Sequence, residues 1–82
     1  MPVLVPHAEL ASVLGRQTIE SNARTVGELL DEVRSQVHEA DWGRLSRVTI
    51  LVNGRNMHHL QGRSTVLRSD DMVWMIVPSG GG

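Results

Sequence analysis

Apolar residues recur along this 82-residue chain with two different periods, and the changes of period mark its elements. Residues 1–7 alternate, with Val3 and Val5 on one face and Leu4 on the other, which is the pattern of a strand. Proline cannot donate to a sheet ladder, so Pro2 and Pro6 either confine this strand to an edge or mark its ends. Residues 9–14 make a short mixed segment that stops at Gly15, a turn residue. Residues 16–21, centred on Ile19, give a second strand. Residues 1–21 therefore read as a hairpin with a long, partly structured connection.

The period then changes to that of a helix. Val26, Leu29, Leu30, Val33 and Val37 form a single apolar stripe. Thr25 as N-cap with Glu28 three residues on is a capping-box pattern. Glu28, Asp31, Glu32, Arg34 and Gln36 fill the opposite side, where Glu28 and Glu32 repel and Asp31–Arg34 offsets them. Three acids on one helix face invite a metal or acid–base reading, but no His or Cys is spaced to join them, and a solvated face accounts for them.

Residues 38–46 read as irregular, with Trp42 and Leu45 folding back as anchors. Alternation returns in 47–52, with Val48, Ile50 and Val52 on one face and Thr49 and Leu51 on the other. Asn53-Gly54 follows, and a type I′ hairpin turn needs positive φ at both central residues. Residues 57–60 are expected as the short returning strand and 62–67 as a loop or single helical turn. The last strand alternates Met72, Trp74 and Ile76 against Val73, Met75 and Val77. Two apolar faces suit a central strand covered by the helix on one side. Two readings stand for the other face: Trp74 and Ile76 form an exposed partner patch, or the segment around Trp42 covers them.

Composition narrows what such a domain does. The length supports one domain with one modest core. A net charge of −1 provides no basic field, so neither nucleic acid nor an anionic membrane is expected as a partner. No apolar run approaches spanning length and no signal-peptide pattern opens the chain, so a cytoplasmic location is expected. Cys is absent, which excludes disulfides and thiolate metal sites. Residues His58 and His59, adjacent on an expected strand, would point to opposite faces, and no metal is expected. No nucleophile elbow, triad or phosphate-cradling loop occurs, so the chain is expected to be acted upon rather than to catalyse.

Two oddities remain. All eight basic residues are arginines, with no Lys; base composition explains this, and so does avoidance of amine nucleophiles beside an activated carboxyl group. The chain also ends Pro78-Ser79-Gly80-Gly81-Gly82. Glycines contribute nothing to a core and raise the entropy of ordering, so residues 78–82 are expected to be a flexible tail on a 1–77 domain. Five extended residues reach roughly 17 Å, enough to enter a partner's cleft. A frayed end is the plain alternative.

These pieces, in order, resemble the MoaD/ThiS sulfur carriers. The resemblance rests on Thr25-Val26-Gly27-Glu28-Leu29-Leu30, Val52-Asn53-Gly54, Leu60-Gln61-Gly62, Thr65-Val66-Leu67, Asp71-Met72-Val73, and Pro78 followed by Gly81-Gly82. It departs from the family pattern at Asp70-Asp71, where Gly-Asp is usual, at the extra Gly80, and at His7, where an aromatic is common. The resemblance implies an α+β, ubiquitin-like β-grasp fold, a mixed sheet packed on one main helix, which the strand and helix order also suggests. It implies a non-catalytic carrier that binds no cofactor. Its Gly82 carboxylate would be adenylated with ATP by an E1-like adenylyltransferase, then converted by a sulfur donor to a thiocarboxylate. Gly80 and Gly81 would thread the partner sites, and Leu60, Trp74 and Ile76 would dock the partners. The acceptor would be a synthase large subunit or another sulfur-accepting enzyme, with molybdenum cofactor biosynthesis (molybdopterin synthase) ahead of the thiamine and cysteine pathways. The alternatives are a ubiquitin-like modifier conjugated to lysines and a plain interaction domain.

Overall fold

A computed structural model describes residues 1–78. Its strands are β1 (Val3–Val5), β2 (Ile19–Glu20), β3 (Thr49–Val52), β4 (Arg55–Asn56) and β5 (Met72–Ile76), and its helices are α1 (Ala8–Leu14), α2 (Val26–Arg34) and α3 (Glu39–Leu45). The five strands form one sheet in the order β2-β1-β5-β3-β4. Strand β1 runs parallel to β5 and every other pairing is antiparallel. This is the mixed sheet of an α+β ubiquitin-like β-grasp.

The core follows from the two periods. Leu4, Ile19, Ile50, Val52, Val73 and Met75 alternate onto one face of the sheet and are buried. Val26, Leu29, Leu30 and Val33 of α2 are buried with them in one cluster. Val37, the last residue of the expected stripe, lies beyond the end of α2 and is only half-buried against that cluster. Strand β5 is the middle strand, as its two apolar faces suggest. Pro2 and Pro6 flank β1 at its ends and are themselves buried, so the strand is an interior one.

The N-terminus of α2 makes the first half of the expected capping box, while Glu28 reaches back one residue past the N-cap Thr25. Thr25 Oγ1 accepts from Glu28 N at 3.1 Å, and Glu28 Oε1 accepts from Arg24 N at 3.2 Å. Asp31 pairs with Arg63 rather than with Arg34, and Arg34 reaches forward to Glu39. The Asn53-Gly54 turn has φ of 51° and 86°, the positive values expected of it. Asn53 also ties the turn to β5, because its Oδ1 accepts from Met72 N at 2.9 Å and its Nδ2 donates to Asp71 Oδ1 at 2.8 Å.

Three expectations change. Residues 9–14 belong to a helix, α1, which buries Leu10 and Ala11 and closes on Gly15 at φ 71°. Residues 38–46 are not irregular: α3 occupies most of them, burying Leu45, with Trp42 half-buried against the core. The strand expected at 57–60 is absent. Strand β4 stops after two residues, where Asn56 Oδ1 accepts from His58 N at 2.9 Å and starts a 3₁₀ turn, Met57–His59. A second 3₁₀ turn, Gly62–Ser64, fills the expected loop. It leads into a bridge between Thr25 and Val66 that fastens this loop to the start of α2.

Candidate functional site

The face of the sheet away from α2 is built by strand parity. Val73 and Met75 point into the core, so Met72, Trp74 and Ile76 point out. Register places Val5 and Leu51 on either side of Trp74, Thr49 beside Ile76, and Val3 beside Met72. On β4, Asn56 lies opposite Leu51. Trp74 and Ile76 are each 41% exposed and Val77 is 58% exposed, whereas Val3, Val5, Leu51 and Met72 are half-buried by their neighbours. An indole and an isoleucine thus stand proud of an apolar surface on the central strand.

Nothing described in the chain covers this face. Trp42 packs against the core cluster on the helical side, carried there by α3 and its buried Leu45, and the covering role considered for it does not hold. Every described ion pair joins residues outside the strands: Arg34–Glu39, Arg44–Glu9, Arg44–Asp41 at 3.6 Å and Arg63–Asp31 at 2.9 Å. Hydrogen bonding to Arg34 holds the Glu39 carboxyl below its ordinary range, again on a helix. The middle of the open face, around Trp74 and Ile76, is therefore apolar and suited to desolvation against a partner, with Glu20 of β2 and Asn56 of β4 at its two edges.

Of the residues the sequence put forward, Trp74 and Ile76 come together as expected. Leu60 does not join them. With β4 ended at Asn56, the 3₁₀ turn lifts the chain off the sheet, and Leu60 packs against the core while lining a separate groove with Val52, Arg55 and Val66. The outward position in that hairpin is Asn56. Sequence reasoning passed over Val5 and Leu51 as members of the face, although their parity opposite Leu4 and Ile50 identifies them. Gly80, Gly81 and Gly82 lie outside the described residues.

His58 and His59 sit on the 3₁₀ turn, both exposed, so the argument from opposite strand faces does not apply to them. Among the described residues, no three metal-ligating side chains gather. His7, in place of the aromatic seen in the family pattern, lies past β1 and bonds through Nε2 to the Leu45 carbonyl at 2.9 Å, joining the start of α1 to the end of α3. No described helix is long and apolar enough to cross a membrane.

Strand β5, central in the sheet, thus has one buried and one open apolar face, and in the sequence Pro78 and the glycines follow it. The family model for the ThiS family matches residues 6–82. The chain belongs to the ThiS family. It is thus a ubiquitin-like protein of the ThiS sulfur-carrier family. Solved structures agree on the fold of this ThiS-family chain. A chain of the Amycolatopsis orientalis BexX/CysO complex superposes with a TM-score of 0.79 at 20% identity, covering 100% of both chains. Small archaeal modifier protein 1 of Methanosarcina acetivorans gives 0.80 at 20% identity, covering 99% of this chain and 95% of that one. The Haloferax volcanii HVO 2177 protein gives 0.67 at 27% identity, covering 99% and 85%. Comparison with curated protein sequences gives no match.

Proposed function

We propose that this ThiS-family protein carries sulfur as a thiocarboxylate on Gly82. A carboxylate is a poor electrophile, so an E1-like adenylyltransferase first joins it to AMP from ATP, releasing pyrophosphate. A sulfur donor then displaces AMP. The thiocarboxylate is a good nucleophile at neutral pH and passes its sulfur to a small-molecule precursor on an accepting enzyme. In this reading the chain is cargo bearer and not catalyst, binds no cofactor of its own, and works in the cytoplasm.

The observation that supports it best is the open face of β5. Trp74 and Ile76 offer an aromatic and an aliphatic anchor on the strand that leads directly to the glycines. A partner seated there has Gly80 and Gly81 to draw into its cleft. The glycines suit this because one tail must fit two differently shaped sites, the activating enzyme's and the acceptor's. The pathway proposed first is molybdenum cofactor biosynthesis with a molybdopterin-synthase-type large subunit, ahead of the thiamine and cysteine pathways.

The test is intact mass after incubation with ATP, the activating enzyme and a sulfur donor. A gain equal to oxygen replaced by sulfur, mapped to Gly82, is expected. Deleting Gly82 is expected to remove that gain and leave the unfolding midpoint unchanged. An unmodified mass in the presence of an active enzyme rejects the carrier reading.

A second reading has its own support. Two structural neighbours are named as modifiers, the small archaeal modifier proteins of Methanosarcina acetivorans and Haloferax volcanii. The same acyl-adenylate chemistry could deliver this chain to lysines of other proteins. Lysine adducts ending in Gly81-Gly82, in place of the sulfur-for-oxygen gain, would decide for it.

A further inference from the structure

A groove of about 520 Å³ shares no lining residue with the open sheet face. It lies between the β3–β4 turn and the loop that returns to β5, and its walls are Asn53, Arg55, Leu60, Val66, Arg68 and Asp71. We propose that this groove is a second docking surface, for a segment of a partner protein that carries carboxylates beside an apolar side chain.

Charge points to that occupant. Arg34, Arg44 and Arg63 each hold a carboxylate within the fold, whereas Arg55 and Arg68 hold none among the described residues. The groove does contain a carboxylate of its own, Asp71, but both its oxygens are engaged. Oδ1 accepts from Asn53 Nδ2 and Oδ2 from Arg68 N, each at 2.8 Å. That leaves two exposed guanidinium groups against one carboxylate, a net positive groove, and neither guanidinium is paired with that carboxylate among the described residues; a guanidinium is built to take a carboxylate through two parallel bonds.

The floor supplies the apolar half. Leu60 lies there half-buried, and Val66 is 64% exposed, more than any other described large hydrophobic. Val66 is not at a loose loop tip. Its neighbours are fastened on both sides, by Val26 N to Thr65 O at 3.0 Å and by Leu67 N to Arg24 O at 2.8 Å. The exposed valine is thus held in place, and a partner meets a preformed surface, which lowers the ordering cost of binding. The groove is open along one side. Small-molecule sites enclose most of their ligand, so an extended peptide segment fits this shape better than a metabolite does.

The experiment is a titration of the ¹⁵N-labelled full chain with an acetylated, amidated peptide Glu-Leu-Glu-Val-Asp, followed by amide shifts. The control peptide replaces each acid with lysine. Saturable shifts are expected at Asn53, Arg55, Leu60, Val66 and Arg68, weakened by added salt. In the Arg55→Glu/Arg68→Glu variant the affinity is expected to fall about tenfold, and Val66→Ala is expected to weaken it as well. Both arginine side chains are exposed and form no ion pair among the described residues, so the double variant should keep the parent's amide spectrum elsewhere. No saturable shifts, shifts centred on Trp74 and Ile76, equal binding of the lysine peptide, or undiminished binding by the double variant would each overturn the proposal. No activating enzyme or sulfur donor is present in this experiment, so its failure leaves the carrier reading standing.

Discussion

Gly27 sets the distance between α2 and the loop that follows β4. A Cβ at this position would lie 3.1 Å from the Arg63 carbonyl oxygen and 3.2 Å from its Cβ. Without that Cβ, Arg63 closes over the helix, donating to Gly27 O at 3.3 Å and to Asp31 at 2.9 Å. Alanine would gain about 1 kcal/mol of helix propensity here, and the steric cost of pushing back a backbone carbonyl opposes that gain. A larger side chain removes the ambiguity. Gly27→Val is expected to destabilise the fold by about 2 kcal/mol, the range of overpacking a tight contact, read as a lower urea midpoint at an unchanged slope. An unchanged midpoint would mean that the loop yields freely and that the Arg63 contacts carry little. The glycine itself was visible in the Thr25-Val26-Gly27-Glu28 run, but the reason for it was not, because Arg63 is a neighbour only in three dimensions.

At the scale of elements, the β3–β4 turn does more than reverse the chain. Asn53 adopts φ 51° and, through backbone and side chain together, bonds Met72 and Asp71 at the entrance to β5. Asn53→Ala therefore loses two side-chain bonds and places an alanine in the left-handed region. A loss of about 2–3 kcal/mol is expected by thermal or urea unfolding, with faster hydrogen exchange at Met72. Only the turn was legible in the sequence, since Asn-Gly is a local signal, while the clasp onto β5 spans the chain from one element to another. The same division explains the other elements. The α2 cap and stripe lie within one run of residues and were readable. Helices α1 and α3 have seven residues each, too short to be stable alone, and exist because Leu10, Ala11 and Leu45 are buried against the rest. Local pattern carries no sign of that burial. The absence of Leu60 from the open sheet face has a related cause: the two-residue β4 gives way to a 3₁₀ turn begun by the Asn56 side chain, which alternation does not anticipate.

At the scale of the molecule, the two faces of β5 have different surroundings, one buried and one open, and adjacent residues should separate them. Met75 is buried in the core between sheet and helix, while Trp74 looks out from the same strand between Val5 and Leu51. A cation in place of Met75 would be buried without a partner and should abolish folding. In place of Trp74 it meets water and costs only the cross-strand contacts, roughly 0.2–1 kcal/mol each. Trp74→Arg is therefore expected to stay folded, with its amide spectrum intact outside β1, β3 and β5, whereas Met75→Arg is expected to give the spectrum of an unfolded chain. If the open face is where partners seat, the folded Trp74→Arg protein should bind its activating enzyme about thirtyfold more weakly, the loss of one aromatic hot spot worth about 2 kcal/mol. Calorimetric titration measures this directly. Undiminished affinity in the folded variant would take the sheet face out of recognition and leave the glycine end, or the arginine-lined groove beside the β3–β4 turn, to account for it.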